Sequence, residues 1–161
     1  MSGTKLRSQD WEHRLHVLSA WQKWQHGTPS GFDDGATYRA VLDGCAVTVR
    51  ALCEIRGVTC SFKGTTLRHG PDRMLDLLSC CKKAGKPQVL ALSNESQRCL
   101  LEVLYLGNRA VAHPVDGELD HKVGAHEMKA AINTVLGWLV ADKSTWPGLA
   151  AVPNHYFESI K

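Results

Sequence analysis

The sequence has no long apolar run, no paired-cysteine motif and no familiar nucleotide or hydrolase signature, and each absence narrows what the chain can be. Its longest apolar stretches, such as Val135 to Ala141, fall far short of the roughly 20 residues that cross a bilayer, so no membrane association is expected. The opening "MSGTKLRSQDWEHR" has no apolar signal core, from which no secretion is expected. The six cysteines, Cys45, Cys53, Cys60, Cys80, Cys81 and Cys99, contain no CxxC spacing and sit mostly in apolar-periodic segments. They read as reduced core residues of a cytoplasmic protein. A Gly-rich phosphate loop, a GxSxG elbow and an HExxH pair are all missing, which removes the usual signatures of nucleotide hydrolysis, ester hydrolysis and zincin chemistry. No repeat, low-complexity tract or linker interrupts the chain.

What is present is helical periodicity. The 161 residues are 43% apolar and 22% charged, enough for one domain, 1–161, that buries about 70% of its unfolded surface without a metal or disulfide. Trp11, Leu15, Leu18 and Trp21 recur at spacings of three and four after a capping stretch at Ser8 to Asp10, and Gly27 and Pro29 end the pattern. A second helix is predicted from Ala36 to Arg56 with Tyr38, Val41, Leu42, Cys45, Val49 and Leu52 on one stripe, Gly57 as C-cap and Gly44 permitting a close crossing. "VTCSFKGTTLRHG", Val58 to Gly70, reads as a surface loop, with a short extended excursion as the alternative. Pro71 then starts a third helix of about twelve residues in "DRMLDLLSCCKKAG".

A fourth, the most apolar, is capped by Ser93 or Asn94, carries Cys99, Leu100, Val103, Leu104 and Leu106, and runs to Ala112 before Pro114. After the turn-rich "VDGELDHKVG", a fifth spans Ala125 to Ala141. The tail, about 142–161, has two prolines and no period; it is expected to pack irregularly on Trp146, Tyr156 and Phe157. With no alternation of strands and helices, the fold class is all-α, a bundle of four or five helices.

Charge is uneven. Between Arg50 and Lys86 eight Lys or Arg stand against three acids, whereas the remainder is slightly acidic. A basic section of this kind can hold phosphates, and a solvated loop region would look the same. Trp11, Trp21 and Trp24 at helical spacing are expected in the core or at a helix–helix contact, with base stacking as the alternative. His113, His121 and His126 with Glu118, Asp120 and Glu127 offer donors for a divalent metal only if the connection folds back on itself, since their spacings of eight and five are not those of a helical pair. No metal or cofactor is therefore expected.

The richest stretch is "YLGNRAVAHP", Tyr105 to Pro114. Four residues apart on a helix, Arg109 and His113 share a face and can address one ligand, and the neighbouring cation favours a neutral, base-competent imidazole. Such a pair suits phosphodiester cleavage without metal: the imidazole takes the proton of a ribose 2′-hydroxyl while the guanidinium clamps the phosphate. The same two cations would equally complement the negative end of a helix dipole.

An all-helical domain with a polar residue, Arg109 and His113 late in a long helix, a proline after the histidine and one further amphipathic helix resembles the HEPN superfamily over Leu101 to Leu139. The resemblance implies a homodimer in which arginine and histidine of both subunits meet in a cleft that binds and cuts RNA without metal. Arg109 would be the phosphate clamp, His113 the general acid or base, and Asn108 an orienting neighbour. Three residues separate Arg109 from His113, fewer than the catalytic members usually have, and Asn108 precedes the arginine. This leaves open the alternative the family also implies, a non-catalytic interaction module or partner in a bacterial defence or toxin–antitoxin system.

Overall fold

In a computed structural model, residues 5–26, 34–62, 76–108 and 123–160 are described. Four long helices follow the apolar stripes. They are α1 (Ser8–His26), α2 (Asp34–Ile55), α5 (Asn94–Tyr105) and α6 (Ala125–Asp142), joined by the short helices α3 (Leu77–Cys80), α4 (Lys86–Leu90), α7 (Pro147–Ala150) and α8 (Asn154–Glu158). Among the described residues there is no strand, and the fold is all-α. No helix there is long and apolar enough to cross a membrane.

Each long helix is held by the face that periodicity assigns it. On α2, Leu42, Cys45, Ala46, Val49, Leu52 and Cys53 are buried; on α6, Met128, Ala131, Ile132, Val135, Leu136 and Leu139 are buried. Each fully buried Leu, Ile, Val or Met contributes about 1.5–3 kcal/mol relative to exposure. α5 packs against both of these helices, and α1 lies across α2. From Cys99 to Gly107 every residue of the α5 region is buried, Glu102 included, so this element is surrounded rather than laid on a surface. An ionic contact of 2.5 Å from Arg56 Nη1 to Asp142 Oδ2 ties the end of α2 to the end of α6.

The tryptophans are structural. Trp11 and Trp21 are buried, Trp11 stacks on Trp146 with ring centroids 5.5 Å apart, and Trp21 and Trp24 both tilt against Tyr38.

α2 ends in a full Schellman motif. Val58 N–H donates to Cys53 O at 2.8 Å and Gly57 N–H to Glu54 O at 3.0 Å, with Gly57 at φ +91°. The glycine predicted as C-cap is therefore, among the described residues, the one whose backbone conformation requires it. Gly44, expected to permit a close crossing, does not: a Cβ there would meet only Val17 Cγ1, at an ordinary 3.9 Å.

Three expectations are corrected. The single helix predicted from Pro71 is broken in two beyond position 76; Pro71 itself lies outside the described residues. Asp76 accepts from Ser79 N–H at 2.7 Å and so starts α3 at Leu77, and after one turn the chain becomes extended at Cys81. There Ser61 N–H donates to Cys80 O and Lys82 N–H to Thr59 O, forming one antiparallel bridge between Cys60 and Cys81. The part of "VTCSFKGTTLRHG" that is described, 58–62, thus takes the extended alternative rather than a loop. A 3₁₀ turn, Lys83–Gly85, follows and leads into α4, which Pro87 opens.

The tail is the third correction. Pro147 and Pro153 do not break structure: Pro147 is the first residue of α7, where its fixed φ suits the first helical turn, and Pro153 is the extended N-cap of α8. The expected anchors hold all the same: Phe157 is buried and Tyr156 meets His16 edge-on at 5.4 Å.

Candidate functional site

The polar stretch at the end of α5 begins at a constrained point. Residues 106–108 widen from α- into π-helical geometry, an irregularity often found at functional sites. Gly107 crosses α2 there so closely that a Cβ would lie 2.7 Å from Ala46 O. Only glycine fits. The crossing holds the next residue, Asn108, half-buried in a shallow recess between α2, the 58–62 segment and α5.

On the α2 side of this recess Arg50 and Glu54 form an ion pair at 2.9 Å, both partly exposed. Opposite are Cys60 and Phe62, with Phe62 edge-on to Tyr105 at 5.4 Å. The structure therefore places Asn108 in a small, half-open recess that carries one guanidinium and one carboxylate. Arg109 and His113, the other two predicted site residues, lie outside the described residues, as do Glu118, Asp120 and His121. Of the basic section, Arg50 and Arg56 are both paired, while Lys82, Lys83 and Lys86 are exposed.

A second polar cluster, not anticipated from the sequence as a unit, joins the first turns of α5 and α6. Ser93 caps α5 by accepting from Ser96 N–H at 3.1 Å, and one turn on Arg98 grips Glu95 with two hydrogen bonds, Nη2 to Oε1 at 2.7 Å and Nε to Oε2 at 3.0 Å. His126 Nε2 lies 2.9 Å from the same Oε1, and the buried Cys99 thiol donates to it at 3.5 Å. Arg98 also reaches Glu127 at 3.3 Å, whose other oxygen accepts Gly124 N–H at 3.0 Å to cap α6. Arg98 and then His126 hold the Glu95 carboxyl down at about 2, and burial pushes the Cys99 thiol up to about 11. Burial would raise Glu127, but the Gly124 N–H and Arg98 outweigh it and the carboxyl stays below its usual range.

Glu95, Cys99 and His126 bring three ligand-type atoms within 4.8 Å of one another, the one such group among the described residues. The donor set does not suit a cation well. The Arg98 guanidinium already sits on the shared oxygen, and its Nη2 is 3.5 Å from the sulfur, so the charge a metal would neutralise is already met. The cluster acts as an ion-pair clamp between two helix starts. Of the histidine–acid set weighed for metal, His126 and Glu127 are thus committed to this clamp. The signal available in sequence was local, Glu95 with Arg98 and Cys99 at helical spacings of three and four; the partner 31 residues away was not.

Comparison with protein-family models, with curated proteins and with solved structures found no match for this chain.

Proposed function

We propose that the chain is an HEPN-like helical protein that binds RNA at the end of α5 and cleaves it without metal, Arg109 clamping the phosphate and His113 moving the proton, in a cleft shared by two copies of the chain. In this reading the four long helices make the bundle and the short ones cover its edges. The supporting observation is the setting of Asn108, the first residue of the polar stretch. It lies in an open recess beside Arg50, on backbone that Gly107 and α2 lock in place, so the residues that follow it leave from a fixed origin. The recess is shallow, with room for about one water molecule, so it cannot enclose a small molecule. It suits a phosphodiester backbone passing over it better than an engulfed base.

The test is an RNA cleavage assay in chelator, comparing wild type, Arg109→Ala and His113→Ala, with the oligomeric state measured in the same buffer. Wild type is expected to cut as a dimer. His113→Ala should lose about a hundredfold or more of the rate, the scale of a missing general acid or base, with its helical circular dichroism unchanged. Cleavage that survives in His113→Ala overturns the assignment.

One observation favours the second reading, a non-catalytic module that binds a protein partner in a bacterial defence or toxin–antitoxin system. Leu90 and Val140 are large apolar side chains left 64% and 57% exposed. On that reading no RNA is cut by any variant, and His113→Ala costs only stability.

A further inference from the structure

The contact between the 58–62 segment and Cys81 has a defined register. Ser61 N–H donates to Cys80 O at 3.0 Å and Lys82 N–H to Thr59 O at 2.9 Å, which brackets Cys60 and Cys81 as the non-hydrogen-bonded pair of an antiparallel bridge. In such a pair the Cα atoms approach to about 4.5 Å and the side chains leave the same face. That separation falls within the about 4.4–6.8 Å that a disulfide spans. The two side chains are near enough for each to shift the other's titration, and the Cys81 thiol donates to Lys82 O at 3.4 Å. Cys60 is half-buried and faces the recess beside Asn108, whereas Cys81 is buried behind it, 4% exposed.

We propose that Cys60 and Cys81 are a thiol modification site, closing to an intramolecular disulfide with a low-molecular-weight disulfide as oxidant. The less buried partner reacts first. Cys60 thiolate attacks one sulfur of the oxidant, the oxidant's S–S bond breaks, and one small thiolate leaves and takes up a proton. Cys81, as thiolate, then attacks Cys60 Sγ in the mixed disulfide and expels the second small thiol. Two protein thiols are oxidised and one small disulfide is reduced to two thiols. Cys81 suits the second step. Burial raises it, and once Cys60 has lost its thiol to the mixed disulfide the Lys86 charge still pulls it part of the way back toward the thiolate.

Cys53 and Cys80 are near enough to interact electrostatically with this pair, yet neither occupies the facing position of the bridge. Once formed, the disulfide fixes Cys60 as a wall of the recess and closes the chain between 60 and 81 into a loop, whatever the recess binds.

The full chain, incubated with oxidised glutathione at mildly alkaline pH because burial pushes Cys60 up to about 12, is alkylated, digested and mapped by mass spectrometry. The expected result is a Cys60–Cys81 peptide with the other four cysteines alkylated, together with a thermal midpoint several degrees higher. Cys81→Ser should stop at glutathione on Cys60, and Cys80→Ala should still form the bridge. A Cys60 linkage to Cys53 or Cys80, a mixed disulfide that persists in wild type, or thiols that all remain free overturns the proposal. If Cys81→Ser does not fold, the wild-type map and Cys80→Ala decide the matter by themselves.

Discussion

Gly107 bears more on the site than any charged residue that is described. A single methyl added there would sit 2.7 Å from Ala46 O and 3.0 Å from its carbonyl carbon, both of them backbone atoms that no rotamer change can move. Overpacking of this kind costs about 1–3 kcal/mol when the structure has to shift. Gly107→Ala is therefore expected to lose about that much in chemical denaturation, and to lose function out of proportion, because the displaced backbone carries Asn108 and the stretch after it. An alanine variant with unchanged stability would show that α5 does not cross α2 this closely. Gly85 is a similar case: its Cβ would meet Gly57 O and Val58 Cα at 2.8 Å, where the turn before α4 passes over the α2 cap.

Between elements, the clamp at the start of α5 and α6 gives a signed pH dependence. The folded state holds Glu95 at about 2 against an ordinary 4.5, so its contribution is present above about pH 4.5 and is lost as pH falls towards 2. Glu95→Gln should therefore show a shallower acid limb in a stability–pH profile and little change in slope above pH 5. An unaltered acid limb would mean that Arg98 and His126 do not hold the carboxylate.

The same pairing shows what could be read from sequence. α1, α2, α5 and α6 were legible because each carries a stripe at helical spacing that really is buried, and because Ser93 and Gly57 do at the helix ends what their residue types suggest. α3 and α4 were not. Asp76 captures Ser79 and restarts the helix, and Cys81 then pairs with a segment some twenty residues earlier, a contact no local pattern announces. In the tail, prolines were read as breakers where they are starters. At the candidate site only Asn108 can be followed from sequence into the structure, while the recess around it is assembled from α2 and from the 58–62 segment, distant in sequence.

Over the whole molecule, the first helix is covered by the last two. α7 and α8 both pack on α1, the Trp11 and Trp146 rings are stacked 10° from parallel, and Gly148 passes so near Leu6 O that no side chain fits between them. Trp146→Ala should therefore lower the stability of the whole chain by about 2–3 kcal/mol, less than the roughly 3–5 of a fully enclosed tryptophan. The loss should appear as a shift of one cooperative transition in denaturant. A separate early transition of small amplitude would mean instead that the tail detaches independently.

The stacked indoles also have an experimental use. Two tryptophan chromophores held 5.5 Å apart in a fixed orientation contribute near-ultraviolet circular dichroism that depends on that setting, while the far-ultraviolet signal mainly follows the helices as a whole. A variant, a bound ligand or an oxidant that removes from the first signal the same part that Trp146→Ala removes, and spares the second, has parted the N-terminal helix from the C-terminal segment without melting either. The protein thus carries its own optical gauge of that joint, with no label attached.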